Sequence, residues 1–211
     1  KKSKHKLFFL VRKKNKKKNY ISCNLKNLNK LKNLLNKLNP DIIINIAAEV
    51  NFKKRTKDMY KVNAYAPSLI AKFCKKNDAQ LIHVSSIVVH GIKKIYSEKS
   101  DYNPVNYYGK SKLKGDILIT KSNCRYTILR FGGIYGKKGP NHLSLNKFID
   151  LARKKEKIIF DGNTKSLRNY IFVNDAAKII VNCIKNKKYG IFYLGGQILS
   201  FETMLKKIIK I

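Results

Sequence analysis

The stretch Pro40-Asp-Ile-Ile-Ile-Asn-Ile-Ala-Ala48 sets the fold class, because its run Ile42–Ala47 has the length and composition of a buried β-strand. Leu25–Leu38 precedes it with leucines at helical spacing, and Pro40 stops that helix. A second helix, Met59–Lys75, follows and leads into the apolar strand Gln80–Ser86. Continuously apolar strands that alternate with helices are typical of a parallel sheet covered on both faces. The sequence therefore predicts an α/β fold with a doubly wound parallel sheet.

The alternation extends in both directions from this stretch and changes character after Gly139. Before that residue we predict three further elements, the strand Leu7–Val11, the helix Tyr107–Lys121 and the strand Tyr126–Phe131. Shorter elements after it indicate a smaller lobe. The predictions there are a helix Leu145–Lys154, a strand Lys157–Phe160, a loop Asp161–Asn169, a strand Tyr170–Val173, a helix from Asp175 and a helix Phe201–Ile209.

The chain is strongly basic, since its 211 residues include 47 Lys and Arg against 12 Asp and Glu, a formal net charge of +35. Lysine outnumbers arginine 41 to 6, whereas nucleic-acid sites favour arginine for bidentate contacts. Lys, Ile and Asn together supply 89 residues, a bias that A/T-rich coding would also produce. We therefore predict no specific nucleic-acid partner, although a basic surface favours an anionic small substrate.

Three features argue against a membrane or secreted protein. No stretch approaches the roughly 18 apolar residues that a membrane span needs. The basic start Lys1–Lys6 leads into only five apolar residues, too few for the core of a signal peptide. The four cysteines are about fifty residues apart without a CxxC pair, which argues against a zinc site or a disulfide framework. We predict a cytoplasmic protein that holds no metal ion.

The strongest chemical signal is Tyr108-Gly-Lys-Ser-Lys112, a YxxxK motif near the start of a helix. Its i, i+4 spacing places the phenol and the ammonium on one helical face, where the cation stabilises phenolate and lowers the phenol pKa. Upstream, Ser86 ends a buried strand, and ligand sites of open α/β sheets lie outside the carboxyl ends of strands. A hydroxyl there polarises a substrate oxygen while the tyrosine transfers the proton.

Each part of this set also has a simpler explanation. YxxxK arises by chance in a chain this rich in lysine and tyrosine, and a serine at a strand end often caps a turn. The order Ser86, Tyr108, Lys112 on these elements is much rarer than any single part, and it favours a catalytic set.

The motifs around this set resemble the extended short-chain dehydrogenase/reductases, the NAD-dependent epimerase/dehydratase group that acts on nucleotide sugars. The match covers roughly two thirds of the chain in the order and spacing of that family. It implies a Rossmann-like domain over residues 1–139 and, over residues 140–211, mainly a substrate-binding lobe with some segments returning to the core domain. The matching pieces are Pro40-Asp-Ile-Ile-Ile-Asn-Ile-Ala-Ala48, Val62-Asn-Ala64, Val84-Ser-Ser86 with Gly91, Pro104-Val-Asn-Tyr-Tyr-Gly-Lys-Ser-Lys112, Leu129-Arg-Phe-Gly-Gly-Ile-Tyr-Gly136 and Arg168-Asn-Tyr-Ile-Phe-Val-Asn-Asp-Ala176.

The resemblance implies roles for the matching polar residues. Tyr108 would exchange a proton with the sugar hydroxyl or ketone, and Ser86 would polarise the substrate oxygen. Lys112 would hold the nicotinamide ribose and lower the pKa of Tyr108. Arg168 matches the arginine that binds the substrate diphosphate through its guanidinium, and its simpler explanation is an exposed loop arginine.

The resemblance also implies contacts with NAD or NADP. Ala47 and Ala48 would pass close to the cofactor, and Asn63 would support the site from the neighbouring helix. Asn24 stands where the family usually has an adenine-contacting Asp. Arg12 stands near the end of a strand that lacks the acidic residue of NAD enzymes, and an arginine there mildly favours NADP. The simpler explanation is that Arg12 is one more solvated cation.

Two family features are replaced or missing in this chain. The family opens with a strand, a GxxGxxG turn and a helix that hold the cofactor diphosphate, yet no glycine occurs before Gly91. We therefore expect the chain as it stands to bind a dinucleotide poorly, and interpret it as a candidate fragment of a longer reading frame. Gly133 stands where many epimerases carry a substrate-contacting Asn, so the resemblance does not define the sugar.

We place an NAD(P)-dependent nucleotide-sugar epimerase or dehydratase first, because Arg168–Asp175 looks more like that segment of the family. The alternative enzyme is an NADPH-dependent reductase of 4-keto sugar nucleotides, similar to the dehydrorhamnose reductases. The missing glycine loop favours a third hypothesis, a non-catalytic binding relative, and charge alone favours a nucleic-acid-binding domain. Family members often dimerise through the helices matching Met59–Lys75 and Tyr107–Lys121, so a homodimer is a further expectation.

Overall fold

The structure is a computed structural model that describes residues 5–13, 15–92, 100–140 and 143–210. The chain forms two compact units, each built from two stretches of sequence. The first unit comprises Lys1–His83 and Pro104–Tyr126, and the second comprises Val84–Asn103 and Thr127–Ile211. Parallel strands and helices occur in both, which confirms the predicted α/β class. The predicted division near residue 139 stays a prediction.

The described strands of the first unit form parallel pairs. β1 (Phe9–Val11) pairs with β2 (Tyr20–Ser22), and β3 (Ile42–Asn45) pairs with β4 (Gln80–Ser86). The register of the second pair sets Asn45 beside His83. β3 is an edge strand within the described residues, and its apolar side chains are only partly covered. Ile44 is 45% exposed and Ile46, just beyond the strand, is 68% exposed, while Phe9 on β1 is 44% exposed.

The four α-helices of the first unit are α1 (Leu28–Leu38), α2 (Lys57–Tyr60), α3 (Ala66–Lys76) and α4 (Tyr107–Thr120). A π-helical turn, Lys61–Tyr65, joins α2 to α3 in one continuous segment. Pro67 has no N–H to donate, and its ring would clash in a regular α-helix with the Asn63 carbonyl four residues earlier. The wider turn relieves that clash. The predicted helix Met59–Lys75 is confirmed with this irregularity.

α4 approaches the π turn closely because Gly115 has no side chain. A Cβ built on Gly115 would overlap the carbonyl oxygen of Asn63. Beside this contact the Asn63 side chain donates a hydrogen bond to the Ser111 hydroxyl at 2.9 Å. The apolar core of the unit includes Leu31, Leu35, Met59, Val62, Ala64, Ile70, Ala71, Phe73, Leu81, Ile82 and Ile119.

The strands of the second unit, in chain order, are β5 (Arg125–Phe131, which begins in the first unit), β6 (Gly133–Tyr135), β7 (Leu167–Phe172), β8 (Gly190–Leu194) and β9 (Ile198–Ser200). β5 pairs with β8 in parallel. β6 and β7 are also parallel, and β9 completes their sheet as an antiparallel partner of β7. The second unit therefore combines a parallel pair with a small mixed sheet.

A short 3₁₀ turn, Ile87–His90, opens the second unit, and its helices are α5 (Ser144–Arg153), α6 (Val173–Lys185) and α7 (Phe201–Ile209). α5 and α7 bury a common apolar cluster. Phe160 joins it by stacking on Phe201, with 4.3 Å between ring centres. Its buried members are Leu145, Phe148, Phe201, Met204 and Ile208.

Two predicted elements of this region are wrong. Lys157–Phe160 is not a strand, because its backbone pairs with none of the described strands, although Ile158 and Phe160 pack against the α5–α7 cluster and Ile159 between them is 74% exposed. β7 begins at Leu167 rather than at Tyr170, because the backbone of its first residues pairs with β9. The predicted helix Phe201–Ile209 is confirmed. Among the residues described, no helix combines the length and the hydropathy that a membrane span requires.

Candidate active site

Helix α4 carries Tyr108, Lys112 and Asp116 on one side, because these residues follow one another at intervals of four. The helix begins after Asn106, whose side-chain oxygen accepts a hydrogen bond from the Gly109 N–H at 2.8 Å. Lys112 and Asp116 are each 1% exposed, and Tyr108 is partly buried. Charged groups buried this deeply need polar partners, since an isolated buried charge is strongly destabilising.

His83 on β4 connects this side of α4 to the strands. Its Nε2 lies 3.1 Å from the Lys112 Nζ and 3.9 Å from a carboxylate oxygen of Asp116. Its Nδ1 lies 3.0 Å from the side-chain amide of Asn45 on β3. His83 is fully buried and Asn45 is 5% exposed. We call Asn45, His83, Lys112 and Asp116 the His83 network.

Burial sets the protonation states within the His83 network. Desolvation, followed by the nearby Lys112 cation, lowers the pKa of His83 well below 6.5, so the imidazole is neutral. Desolvation also lowers the pKa of Lys112 to about 8, against the opposing charge of Asp116, so the amine remains mostly protonated at neutral pH. A neutral imidazole has one donor nitrogen and one acceptor nitrogen. The Lys112 ammonium therefore donates to Nε2, and Nδ1 carries the proton. Asn45 accepts that proton only through its amide oxygen, so its amide must be turned from the orientation in which Nδ2 lies 3.0 Å from Nδ1.

The pKa of Tyr108 departs from the expected direction. Desolvation and, second, the negative charge of Asp116 raise it from 10 to about 12. The expected lowering by Lys112 is wrong for this structure, because burial disfavours the phenolate and the Lys112 ammonium is directed to His83. Phe52 packs edge-on against the Tyr108 ring at 5.7 Å between centres. Tyr108 is thereby held in its proton-bearing form.

The neutral state of His83 predicts a loss of stability in acid. Below about pH 6.5 the unfolded chain takes up a proton at this imidazole and the folded chain does not. The free energy of unfolding therefore decreases as the pH is lowered. For one group the slope approaches about 1.4 kcal/mol per pH unit. We expect the wild type to lose about 1 to 2 kcal/mol more than H83N between roughly pH 7 and pH 5, measured by urea unfolding.

The H5N variant is the matched control for this measurement, because His5 is exposed. We expect H5N to follow the wild type at every pH, because the substitution leaves the buried His83 in place. The same pH dependence in H83N and the wild type would contradict a neutral, buried His83.

Asn63 holds the segment that follows β3. Its Oδ1 accepts a hydrogen bond from the Glu49 N–H at 2.8 Å, and its Nδ2 donates to the Glu49 carbonyl at 2.8 Å. The same Nδ2 donates to Ser111, whose hydroxyl donates to the Tyr108 carbonyl at 2.7 Å. The predicted supporting residue therefore links the Ala47–Glu49 segment to the first turn of α4. Its role toward a cofactor stays a prediction.

The other predicted cofactor residues lie on loops of the first unit. Asn24 lines a shallow, open depression between β2 and α1, and its side chain accepts a hydrogen bond from the Lys26 N–H at 3.1 Å. Ala47 is half-buried, Ala48 is exposed, and Arg12 is exposed just after β1.

Lys26 ties these loops together. Its ammonium lies 3.2 Å from a carboxylate oxygen of Glu49 and 3.0 Å from one of Asp58. The hydrogen bond with Asp58 is the main cause that raises the pKa of Lys26 and lowers that of Asp58. The loop that carries Asn24 is therefore held against the segment that follows Ala48.

Ser86 and Arg168 lie in the second unit. The Ser86 hydroxyl accepts a hydrogen bond from the Val88 N–H at 3.4 Å, the capping role that a strand-end serine often has. Arg168 is exposed, donates to the Leu167 carbonyl at 2.9 Å and lies 5.9 Å from the Phe201 ring centre. The catalytic role of Ser86 and the diphosphate contact of Arg168 stay predictions.

Gly133, which stands where many epimerases have Asn, has a packing reason in this structure. A Cβ built on Gly133 would overlap the ring of Tyr170. The two residues are register partners in the parallel β6–β7 pair, so any larger side chain at position 133 would displace that ring.

The sequence analysis did not identify Asn45, His83 or Asp116. Two of them carry a signal, because His83 interrupts an apolar strand and Asp116 lies four residues after Lys112 on the same helical face. Buried polar groups require partners, and pairing these two with Lys112 follows from that requirement. Asn45 also interrupts an apolar run, Ile42–Ala47, but the interruption does not indicate its partner, because that contact depends on the register of β3 against β4.

Comparison with known proteins adds a family match over nearly the whole chain. The family model described as RmlD substrate binding domain matches residues 3–203. The chain belongs to the RmlD substrate-binding-domain family. A dTDP-4-dehydrorhamnose reductase of Sinorhizobium fredii is 30% identical over 74% of this chain and 56% of its own length. A dTDP-D-glucose 4,6-dehydratase of Dictyostelium discoideum is 26% identical over 92% of this chain and 52% of its own length.

Solved structures of similar proteins share the fold of this RmlD-family chain. The hypothetical dTDP-4-dehydrorhamnose reductase from Sulfolobus tokodaii has a TM-score of 0.83 at 27% identity, covering 98% of this chain and 74% of that one. A dTDP-4-dehydrorhamnose reductase from Bacillus anthracis in complex with NADP has a TM-score of 0.78 at 24% identity, covering 90% of this chain and 70% of that one. The resemblance to the epimerase/dehydratase group of nucleotide-sugar enzymes is confirmed.

The RmlD-family chain spans about half the length of the curated relatives it matches. Reductases recur among those relatives, so the matches favour the reductase alternative over the epimerase or dehydratase that the sequence analysis placed first. That earlier preference rested on Arg168–Asp175, a short segment, whereas the family match extends over residues 3–203.

Proposed function

We propose that this chain belongs to an NAD(P)H-dependent reductase that acts on the keto group of a 4-keto sugar nucleotide. The observation that carries the proposal is the match of residues 3–203 to the RmlD substrate-binding domain. Several curated relatives are dTDP-4-dehydrorhamnose reductases by name, which favours a dTDP-linked 4-keto sugar as the substrate.

The bound nicotinamide supplies the hydride that reduces the sugar ketone. The chain's own residues then have three tasks. Tyr108 donates the proton that the ketone oxygen needs as it becomes a hydroxyl. Lys112 places a positive charge on the same helical face, where it binds the nicotinamide ribose. Ser86 donates a hydrogen bond to the ketone oxygen and polarises the carbonyl.

The state of Tyr108 supports a reductase over an epimerase or dehydratase. A reductase needs the phenol protonated at the start of its reaction, whereas an enzyme that first oxidises a sugar hydroxyl needs the phenolate as a base. Burial and Asp116 raise the pKa of Tyr108 to about 12, which favours the phenol. The second candidate is a dehydratase, which the Dictyostelium match over 92% of the chain favours.

The residues of the first unit fit a dinucleotide. Asn24 would contact the adenine from the depression between β2 and α1, and Ala47 and Ala48 would face the nucleotide backbone. Asn63 would fix the segment that carries them through its bonds to Glu49. Arg12, exposed after β1, would favour NADP by pairing with its 2′-phosphate.

The anionic substrate would be held in the second unit. Arg168 exposes its guanidinium on β7 and would bind the diphosphate of the nucleotide sugar. The net charge of +35 would attract such a substrate from solution. A homodimer through α3 and α4 stays part of the proposal, and Tyr65 and Tyr107 are 45% and 37% exposed there.

Turnover with defined cofactor and substrate tests the proposal. The full-length protein that contains this chain is mixed with NADPH and dTDP-4-dehydrorhamnose, and loss of NADPH absorbance is followed. We expect NADPH to be consumed only when the keto sugar is present. Conversion of dTDP-glucose with catalytic NAD and no net change in nicotinamide absorbance would instead identify the dehydratase. Binding of the sugar nucleotide without either reaction would favour a non-catalytic relative.

A further inference from the structure

We propose that His83 is a positioning residue for Lys112, whose ammonium it holds in a fixed, buried place against α4. The inference deepens the proposed function and rests on it, because Lys112 assists Tyr108 in that reaction. His83 would touch neither the sugar nor the nicotinamide, and it would act through Lys112 alone.

The imidazole of His83 is itself fixed from two directions. Its Nε2 lies 3.1 Å from the Lys112 Nζ, and its Nδ1 lies 3.0 Å from Asn45 Nδ2, a place that the amide oxygen takes as acceptor when the amide is turned over. Asn45 is the direct register partner of His83 in the parallel β3–β4 pair, so backbone pairing sets this contact. A ring bonded at both nitrogens does not rotate freely, and it therefore offers Lys112 an acceptor of defined direction.

A histidine at this position has no packing advantage. Its strand neighbours Leu81 and Ile82 are fully buried apolar residues, and His83 is buried as completely as they are. A buried polar ring is destabilising unless its nitrogens are bonded, so an apolar residue would serve the strand better. The pairing with Lys112 is the compensating interaction.

The charges around His83 define what it controls. The polar and charged groups of the first unit that face its ring are Asn45 from β3, and Lys112 and Asp116 from α4. Asp116 also acts on Tyr108, whose pKa its negative charge helps to raise. The position of the Lys112 ammonium determines how much of the negative charge of Asp116 it offsets. By fixing this place, His83 sets the electrostatic field at the phenol.

A lysine titration tests the proposal without any cofactor or substrate. The chain is labelled with 13C at the lysine ε carbons, and the signal with an anomalously low titration midpoint is assigned to Lys112 by its loss in K112M. We expect a wild-type midpoint near 8. H83M removes the acceptor at similar volume and is expected to lower the midpoint by about one pH unit, because the ammonium loses its hydrogen bond.

H83Q is the matched variant, because its amide oxygen restores an acceptor. We expect its midpoint to return close to the wild-type value. A midpoint in H83M within about 0.3 pH units of the wild-type midpoint would overturn the proposal, because so small a difference is much less than the expected change of about one pH unit. Should H83M not fold, H83M/K112M/D116N is expected to fold because it removes both buried charges together with the acceptor, and failure of that triple variant would also overturn the pairing.

Turnover separates this proposal from the proposed function. If the chain reduces the keto sugar, the high-pH limb of its pH–rate profile is expected to move to lower pH in H83M, by as many pH units as the Lys112 midpoint moves. In H83Q the limb is expected to return to its wild-type position. A merely structural role of His83 would lower activity without moving that limb, and would overturn the proposal. If no variant turns over, the reductase assignment fails while the lysine titration still decides the role of His83.

Discussion

Replacing Tyr108 by phenylalanine is expected to lower the turnover number by about two to four orders of magnitude, because the phenol is the proton donor of the proposed reduction. The change removes one oxygen and keeps the ring, whose edge-on contact with Phe52 has a centre separation of 5.7 Å. Stability and NADPH binding are therefore expected to change little. Steady-state turnover with dTDP-4-dehydrorhamnose measures the first quantity, and urea unfolding with NADPH fluorescence measures the others.

Tyr107→Phe is the control for this loss. Tyr107 is the neighbouring residue on α4 and is 37% exposed, so its hydroxyl lies outside the His83 network. We expect it to retain the wild-type turnover. Near-normal turnover in Tyr108→Phe would exclude Tyr108 as the proton donor, and equal losses in both variants would indicate damage to the start of α4.

Gly115→Ala is expected to destabilise the chain by about 3 kcal/mol through overpacking. Helix propensity alone predicts the opposite sign, since alanine stabilises a helix interior by about 1 kcal/mol relative to glycine. The added Cβ would overlap the carbonyl oxygen of Asn63, a backbone atom that cannot rotate away. α4 would have to move, which lengthens the hydrogen bond between Asn63 and Ser111. The midpoint and slope of urea unfolding measure the effect.

Lys114→Ala provides the comparison on the same helix, because Lys114 is the residue next to Gly115 and is exposed. Its effect is expected to stay within about 0.5 kcal/mol. A Gly115→Ala variant as stable as the wild type, or more stable, would show that α4 and the π turn are not in contact in solution.

The long elements were predictable because their hydrophobic patterns are long. Gln80–Ser86 was predicted with the bounds that the structure has, and α7 was predicted likewise. The short strands β2, β6 and β9 have three residues each, too few for a period to be recognised. Lys157–Phe160 has the apolar pattern of a strand and was predicted as one, but its apolar side chains pack without backbone pairing.

The site was predictable only as far as spacing on one helix. The interval of four between Tyr108 and Lys112 placed both on one face of α4, and the structure retains that arrangement. The raised pKa of Tyr108 was not predictable, because it depends first on how deeply the fold buries the phenol and then on the nearby charge of Asp116. The bonds of Asn63 likewise depend on the π turn, and Pro67 alone does not indicate where such a turn will form.

The exposed isoleucines at the end of β3 bear on how the chain behaves in concentrated solution. Ile44 and Ile46 present apolar surface on an edge strand of the described residues, and such edges readily pair with strands of other molecules. The net charge of +35 opposes these encounters by repulsion, whose range is about 10 Å at 0.1 M salt. Added salt shortens that range and leaves the isoleucines uncovered, so we expect this 211-residue chain, prepared by itself, to associate more readily as the ionic strength rises.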